Sequence, residues 1–223
     1  MLRVHRPLGS SMLACNPWVA CFVSGAGGAA TPRGDGRVRR GLHRGGSSEE
    51  GPPASASVWR RPEAGRLKLN FDGSSKHPSR RASIGGAFRD HEGAFVLGYA
   101  ERIGAATSSV AELAALRRGL ELAVSNGWRR VWVEGDAMAA VDAARRRRAA
   151  ARRSEEDARQ CREIAALLPL LDDMSVSHVR REGNRVAHGF ARLGHAAAAP
   201  RVWRGEPPDE LRRYLQRDAD AAK

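Results

Sequence analysis

Three acidic side chains stand where the surrounding sequence predicts the end of a strand or the body of a helix. Asp72 closes an alternating apolar segment, Glu112 lies among apolar residues of a predicted helix, and Asp136 ends another short apolar run. Carboxylates at strand ends commonly serve catalysis or metal binding in open α/β sheets. Each also has an ordinary explanation, because Asp-Gly favours a turn, a helical Glu is usually solvated and an Asp before a helix is a common cap. Taken singly, the three are weak indications of a site.

The segment that leads to Asp72 has the period of a half-buried strand. Leu67, Leu69 and Phe71 alternate with polar residues, so the Asp72 carboxylate is expected to point away from the apolar face. Two further strands and the hairpin turn between them are predicted at Ile84–Arg89, Ala94–Ala100 and Asp90–Gly93.

The elements that follow alternate between helices and strands. Helices are predicted at Ser108–Asn126, 137–148, Ser154–Leu171 and Asn184–Leu193, and strands at 131–136 and Ser175–Val179. Gly127 is expected to stop the first helix, and Ser154 to cap the third. Three hairpin-linked strands followed by αβ units predict a mixed sheet with helices packed on it.

Four motifs, taken in order, resemble those of type 1 ribonuclease H. They are Leu-Asn-Phe-Asp-Gly-Ser-Ser at 69–75, Ala-Glu-Leu-Ala-Ala-Leu at 111–116, Val-Glu-Gly-Asp at 133–136 and Asn-Arg-Val-Ala-His-Gly-Phe-Ala at 184–191. The sequence resembles in particular the plant branch related to retroelement reverse-transcriptase ribonuclease H domains, as does Trp-Arg-Arg-Pro at 59–62. The resemblance covers residues 59–195. It implies an α/β, ribonuclease H-like fold with a five-stranded mixed sheet flanked by helices.

The resemblance implies an endonuclease that hydrolyses the RNA strand of RNA–DNA hybrids with two divalent ions, Mg²⁺ or Mn²⁺, held by four acids. Asp72, Glu112 and Asp136 match the first three acids, and hard cations such as Mg²⁺ prefer oxygen ligands. The fourth position, in the last predicted helix, carries His188 where the family usually has aspartate. A neutral imidazole suits Mn²⁺ better than Mg²⁺. His188 is therefore either a fourth catalytic, metal-binding residue or a surface histidine on an inactive relative.

Five further residues are implied to contact the substrate. The resemblance places Gly73 and Ser74 near the backbone of the RNA strand, and Thr107 and Ser109 along the minor groove, where hydroxyls can bond 2′-OH groups. Asn184 is expected to contact the DNA strand or its phosphates. The alternative for each residue is capping or turn chemistry.

The charge of the chain favours a polyanionic partner. Lys+Arg number 38 and Asp+Glu number 25, which gives a formal net charge of +13, so nucleic acid is the first partner to consider, with a basic solubilising surface as the alternative. Six arginines lie within 143–153 without an acid; they either bind phosphate or form a solvated helix end. No apolar run approaches the roughly 18–20 residues of a membrane span, and we expect a monomer.

The composition divides the chain into three parts. Residues 1–57 are rich in Gly and Pro and lack strand or helix periodicity, which indicates a disordered leader or, since arginines precede the first acid at Asp35, an organelle transit peptide. Residues 59–195 hold the predicted domain, and 196–223 are assigned to a C-terminal tail. Cys15, Cys21 and Cys161 have no metal-binding spacing and are odd in number, so a zinc module or disulfide scaffold is excluded and an intracellular location, nuclear or cytoplasmic, is expected.

Three functions compete at this point. The first is the metal-dependent hybrid endonuclease. The second is a non-catalytic nucleic-acid-binding module derived from a retroelement ribonuclease H domain, and the third is a protein-interaction domain with acidic partners. Retention of Asp72, Glu112 and Asp136 favours the enzyme, because binding alone does not need three carboxylates at these positions.

Overall fold

The computed structural model describes residues 58–146 and 154–222, which form one six-stranded sheet with five helices. The strands are β1 (Leu67–Lys76), β2 (Arg81–Arg89), β3 (Phe95–Ala105), β4 (Arg130–Gly135), β5 (Asp173–His178) and β6 (Arg201–Arg204). The helices are α1 (Ser108–Ser125), α2 (Met138–Arg146), α3 (Glu155–Leu167), α4 (Arg185–Ala196) and α5 (Asp209–Ala221). The predicted leader and residues 147–153 of the arginine run lie outside the described residues. None of the helices in these ranges has the length and apolar character needed to cross a membrane.

The sheet has the strand order β5-β4-β1-β2-β3-β6. β1, β2 and β3 form an antiparallel meander, β6 pairs antiparallel with β3, and β1, β4 and β5 are parallel. The predicted mixed sheet is confirmed, but the count of five strands is wrong. β6 was not predicted because it has only four residues, with arginine at both ends, and is too short to show an alternating apolar pattern. Both β6 and α5 lie within 196–223, the segment assigned to a tail.

The helix boundaries follow local signals. Ser154 caps α3 as predicted, since its hydroxyl accepts a hydrogen bond from the backbone N–H of Asp157. The helix ends at Leu167, before the predicted Leu171, and continues as a 3-10 turn over Leu168–Leu170 that contains Pro169. Proline has no backbone N–H for an α-helical hydrogen bond, which explains the early end.

Apolar side chains pack on both faces of the sheet. On one face, α1 covers the strands through a cluster that includes Leu69, Phe71, Leu113 and Leu116. On the other face, α4 and α5 form a second cluster with the sheet that includes Ala87, Ala100, Phe190, Leu211 and Leu215. Gly85 of β2 permits the close approach of α4, because a Cβ there would lie 2.2 Å from the backbone N of Ala191. This packing fixes the helix that carries His188 against the sheet.

The prediction that β1 is half-buried is wrong, because its polar face is buried as well. Lys68 and Asn70 are 0% exposed and Asp72 is 4% exposed. The Lys68 Nζ lies 2.7 Å from a carboxylate oxygen of Glu134, and Asn70 Oδ1 accepts a hydrogen bond of 2.8 Å from the Trp59 indole. These polar groups tolerate burial because they satisfy one another.

The C-terminal helix α5 is tied to the sheet by a buried ion pair. Arg89 Nη1 of β2 lies 2.7 Å from Asp218 Oδ2, and Arg89 Nη2 also donates to Asn70 Oδ1 at 2.9 Å. The Arg61 guanidinium donates to the carbonyl of Ala219 at 3.2 Å. The segment before β1 and the last helix are thus parts of the same buried polar network.

Candidate active site

Three carboxylates converge beside the C-terminal end of β4, and Asp72 lies within β1 rather than at its end as predicted. One carboxylate oxygen each of Asp72, Glu112 and Asp136 lies within 4.8 Å of the others. β1 and β4 are parallel and Asn70 pairs with Glu134, so Asp72 and Asp136 follow at matching positions two residues further along. The sequence indicated each acid separately, and the strand register brings these two together.

Gly73 lets Glu112 join the two strand carboxylates. A Cβ at Gly73 would lie 2.3 Å from the backbone N of Glu112, so only glycine permits α1 to cross β1 this closely. The Gly73 backbone N–H also hydrogen-bonds the Glu112 carboxylate. Thr107 fixes the start of α1, because its Oγ1 accepts from the Val110 N–H at 3.2 Å. Gly73 and Thr107 therefore determine where α1, and with it Glu112, lies relative to β1.

Burial and the proximity of the other carboxylates shift the pKa values of Glu112 and Asp72. Burial, with added repulsion from Asp72 and Asp136, raises the pKa of Glu112 to about 9. Burial also raises the pKa of Asp72, against the opposing effect of its hydrogen bond with His188. The buried Oε2 of Glu112 has no hydrogen-bond partner in the part of the chain that the structure describes. Three clustered carboxylates with an unsatisfied buried oxygen are a donor set that fits a hard divalent cation.

His188 lies at the margin of the carboxylate cluster. Its Nδ1 is 3.2 Å from Asp72 Oδ2, and its side chain is 30% exposed. Among the described residues, the group of mutually close ligand atoms comprises the three carboxylates and does not include the imidazole. The histidine is thus a neighbour of the first acid, and its role as a metal ligand stays a prediction.

Arg181 is a site residue that the sequence reasoning missed. It lies in the 3-10 turn Arg181–Gly183 between β5 and α4, and its Nη2 is 3.4 Å from both ring nitrogens of His188. Its positive charge lowers the pKa of both Asp72 and Glu112, against the larger effect of burial. The available signal was its position seven residues before His188, in the loop that leads into the helix.

Asn184 is a buried residue that holds Asp136 in position. Its side chain is 1% exposed, and its Nδ2 donates to the Phe71 carbonyl at 2.9 Å and to Asp136 Oδ1 at 3.1 Å. The amide therefore joins the end of β1 to the third carboxylate. Its contact with DNA stays a prediction, whereas its positioning of Asp136 follows directly from these hydrogen bonds.

The two predicted serine contacts have protein partners. Ser74 Oγ lies 2.9 Å from Nε2 of His195 at the end of α4. The Ser109 hydroxyl donates to Asp157 Oδ1 of α3 at 2.8 Å. Each hydroxyl is held in a fixed position by its partner. Their contacts with RNA stay predictions.

Comparisons with known proteins agree with this geometry. A family model described as reverse transcriptase-like matches residues 70–194. An Arabidopsis thaliana protein with ribonuclease H in its name is 32% identical over 133 residues, which is 60% of this chain and 21% of that protein. The chain thus spans about a fifth of that relative's length.

Two further comparisons come from the archaeon Halobacterium salinarum. Its ribonuclease HI is 30% identical over 143 residues, covering 63% of this chain and 70% of that protein. The crystal structure of its ribonuclease matches with 27% identity and a TM-score of 0.54, covering 58% of this chain and 96% of that one.

Proposed function

Since the chain belongs to the reverse transcriptase-like family and carries a type 1 ribonuclease H domain, we propose that it is an endonuclease that hydrolyses the RNA strand of RNA–DNA hybrids. The relatives that carry ribonuclease H in their names support the substrate class. The match to the Arabidopsis protein supports an origin in the plant branch.

The observation that carries the proposal is the convergence of Asp72, Glu112 and Asp136 within 4.8 Å. Burial of these carboxylates, with the added repulsion between them, raises the pKa of Glu112. A fold gains nothing in stability from such an arrangement. The unfavourable free energy of clustering these carboxylates is explained if they serve to hold cations.

The same three carboxylates would hold two divalent ions, Mg²⁺ or Mn²⁺, with His188 as the fourth ligand. Ions bound there would activate a water molecule and stabilise the leaving oxygen at the scissile phosphate. Asn184 holds Asp136 in place through its 3.1 Å hydrogen bond, and the Gly73 N–H does the same for Glu112. These two contacts pre-organise the ligand oxygens.

The residues around the cluster would bind the nucleic acid. Arg181 brings a positive charge to the edge of the carboxylates, where it can pair with a phosphate of the RNA strand. Ser74, Thr107 and Ser109 offer hydroxyl oxygens to the backbone and the 2′-OH groups. The 2′-OH contacts would make the protein select RNA over DNA.

The test is cleavage of a labelled RNA–DNA hybrid in Mg²⁺ and in Mn²⁺ by the full chain and by Asp72→Asn. We expect the cleavage rate of the variant to fall at least about 100-fold, because a charged metal ligand is removed. The side chain keeps its size, so the fold should be unchanged. Asp173→Asn is the matched control, since Asp173 begins β5 and lies outside the cluster, and it should retain activity.

His188 is the observation that favours the second candidate, a non-catalytic nucleic-acid-binding module. A histidine in place of the fourth acid lowers the anionic charge available to a second cation. Hybrid binding without cleavage in either metal, for the wild type and for Asp173→Asn alike, would decide for the binding module and against the endonuclease.

A further inference from the structure

A groove of about 620 Å³ runs between α4 and α5. The α4 residues that line it follow helical spacing along one face, and they are Arg185, His188, Gly189, Arg192, Leu193 and Ala196. α5 closes the other side, and Leu211 packs so near that a Cβ at Gly189 would lie 2.2 Å from its Cδ2. The groove is therefore a fixed feature of the helix packing.

The groove opens onto the candidate active site. His188 lines it, and its Nδ1 is 3.2 Å from Asp72 Oδ2. Arg181 also lines it and acts electrostatically on both Asp72 and Glu112. A strand whose phosphate reaches the carboxylates can therefore continue past His188 into the groove.

The charge of the groove suits a phosphate backbone. Four arginines line it against two carboxylates, Glu182 and Glu210. Within the part of the chain that the structure describes, Arg185, Arg192 and Arg213 form no ion pair, whereas the neighbouring Arg212 pairs with acids. Arginines without a protein carboxylate are available to phosphate oxygens.

The wall and floor of the groove suit unpaired bases. Leu193 and Tyr214, which are partly exposed, supply apolar surface. The Arg213 guanidinium donates to the Tyr214 hydroxyl at 2.8 Å and lies 4.7 Å from the centroid of the Tyr214 ring. Flat aromatic and guanidinium groups stack with exposed bases. A duplex keeps its bases inside the helix, so these groups favour a single strand.

The groove depends on an element outside the family match. The matched residues end at 194, and the Halobacterium structure is covered to 96% by 58% of this chain. α5 begins at Asp209. One wall of the groove, α5, thus lies beyond the residues that the family model matches, whereas most of the α4 wall lies within them.

We propose that the groove between α4 and α5 binds single-stranded RNA that continues from the hybrid beyond the cleavage site. This inference rests on the proposed function, because it takes the RNA strand to be the one that reaches the carboxylates. The protein would then prefer hybrids that carry an RNA overhang over blunt hybrids.

Binding is measured by fluorescence anisotropy of the full chain with Ca²⁺ in place of Mg²⁺. The probes are a blunt hybrid and the same hybrid with an overhang of about six nucleotides as 5′ RNA, 3′ RNA or DNA. We expect one of the RNA overhangs to tighten binding about tenfold. A gain with the DNA overhang alone, or with none, overturns the proposal.

The variant Arg192→Gln/Arg213→Gln tests the groove directly. Both side chains are exposed, so the fold is expected to survive, which thermal melting checks. The gain from the RNA overhang should fall below about twofold, and the salt slope should drop by about 0.7 per lost phosphate contact. Arg162→Gln/Arg217→Gln removes the same charge from exposed positions outside the groove and should keep the gain. Equal losses in both variants would contradict the proposal.

Two outcomes separate this inference from the proposed function. If blunt hybrid is cleaved but no RNA overhang affects binding, the groove proposal fails and the endonuclease stands. If the overhang binds through the groove but no hybrid is cleaved, the endonuclease fails and the groove stands. A last control compares polyglutamate with single-stranded RNA of equal charge as competitors for binding of the overhang hybrid. If both compete equally well, the groove binds anions in general and the proposal is overturned.

Discussion

If His188 is the fourth ligand, as we propose, its imidazole would influence which cation the carboxylates hold best. The imidazole Nδ1 lies 3.2 Å from Asp72 Oδ2, so a ligand at this position adds a neutral nitrogen where an aspartate would add an anionic oxygen. Nitrogen ligands disfavour Mg²⁺ more than Mn²⁺.

We expect His188→Asp to increase the rate in Mg²⁺ more than the rate in Mn²⁺, so that the Mn²⁺/Mg²⁺ rate ratio falls severalfold. The measurement is a titration of each metal at fixed hybrid concentration. His91→Asp, in the exposed hairpin turn, introduces the same charge change at a distance. An unchanged ratio in His188→Asp would remove the histidine from the ligand set.

Glu112 gives the metal-free protein an unusual dependence on pH. Its pKa is about 9 in the folded chain against an ordinary value of 4.5. Between these values the unfolded chain has released the proton and the folded chain has kept it. The free energy of unfolding in EDTA should therefore fall as pH rises from 5 to 9, by at most about 1.4 kcal/mol per pH unit.

Calorimetry of the wild type and of Glu112→Gln in EDTA checks this expectation. The variant has no proton to lose, so its melting temperature should change less over the same pH range. Glu121→Gln, a half-exposed glutamate on the same helix, should keep the wild-type slope. Parallel curves for the wild type and Glu112→Gln would contradict the expectation.

At the scale of elements, α5 depends on one buried ion pair and a small apolar face. Leu211 and Leu215 pack in the second core cluster, and Asp218 meets the fully buried Arg89 at 2.7 Å. Removing one partner of a buried pair leaves the other charge without compensation.

We expect Asp218→Asn to lower the free energy of unfolding by roughly 2–4 kcal/mol. Asp209→Asn makes the same exchange at an exposed pair on α5 and should cost less than about 1 kcal/mol. Urea denaturation of both variants provides the comparison. A cost for Asp218→Asn no larger than that for Asp209→Asn would mean that the ion pair with Arg89 does not help to hold α5.

At the scale of the whole molecule, the net charge of +13 predicts binding to nucleic acid that weakens steeply with salt. Arg145, in the described part of the arginine run, is exposed and donates to the Val176 carbonyl at 3.2 Å. Replacing Arg145–Arg148 with glutamine should flatten the salt dependence of hybrid binding by about 0.9 per lost phosphate contact.

The control for the arginine run is a variant that loses the same number of positive charges elsewhere in the chain. Glutamine at Arg37, Arg39, Arg40 and Arg44 removes four charges from the predicted leader. Anisotropy titrations at several salt concentrations compare the two variants. Equal slopes would show that only net charge matters and that the run makes no specific contact.

The sequence by itself determined the order of the elements from β1 to α4 and singled out the three acids. Alternation of Leu67, Leu69 and Phe71 indicated β1, and helical spacing indicated α1, because these periods depend on neighbours along the chain. The resemblance in the motifs implied that Asp72, Glu112 and Asp136 act together, and the observed cluster agrees.

Only the tertiary structure decided what covers the polar side of each element. Lys68 and Asn70 are buried, α5 belongs to the fold, and Arg181 contacts His188 beside the carboxylates. A local pattern records which face of a strand or helix is apolar. It holds no information on which distant segment packs against the other face, because that depends on contacts between residues far apart in sequence, such as Arg89 and Asp218.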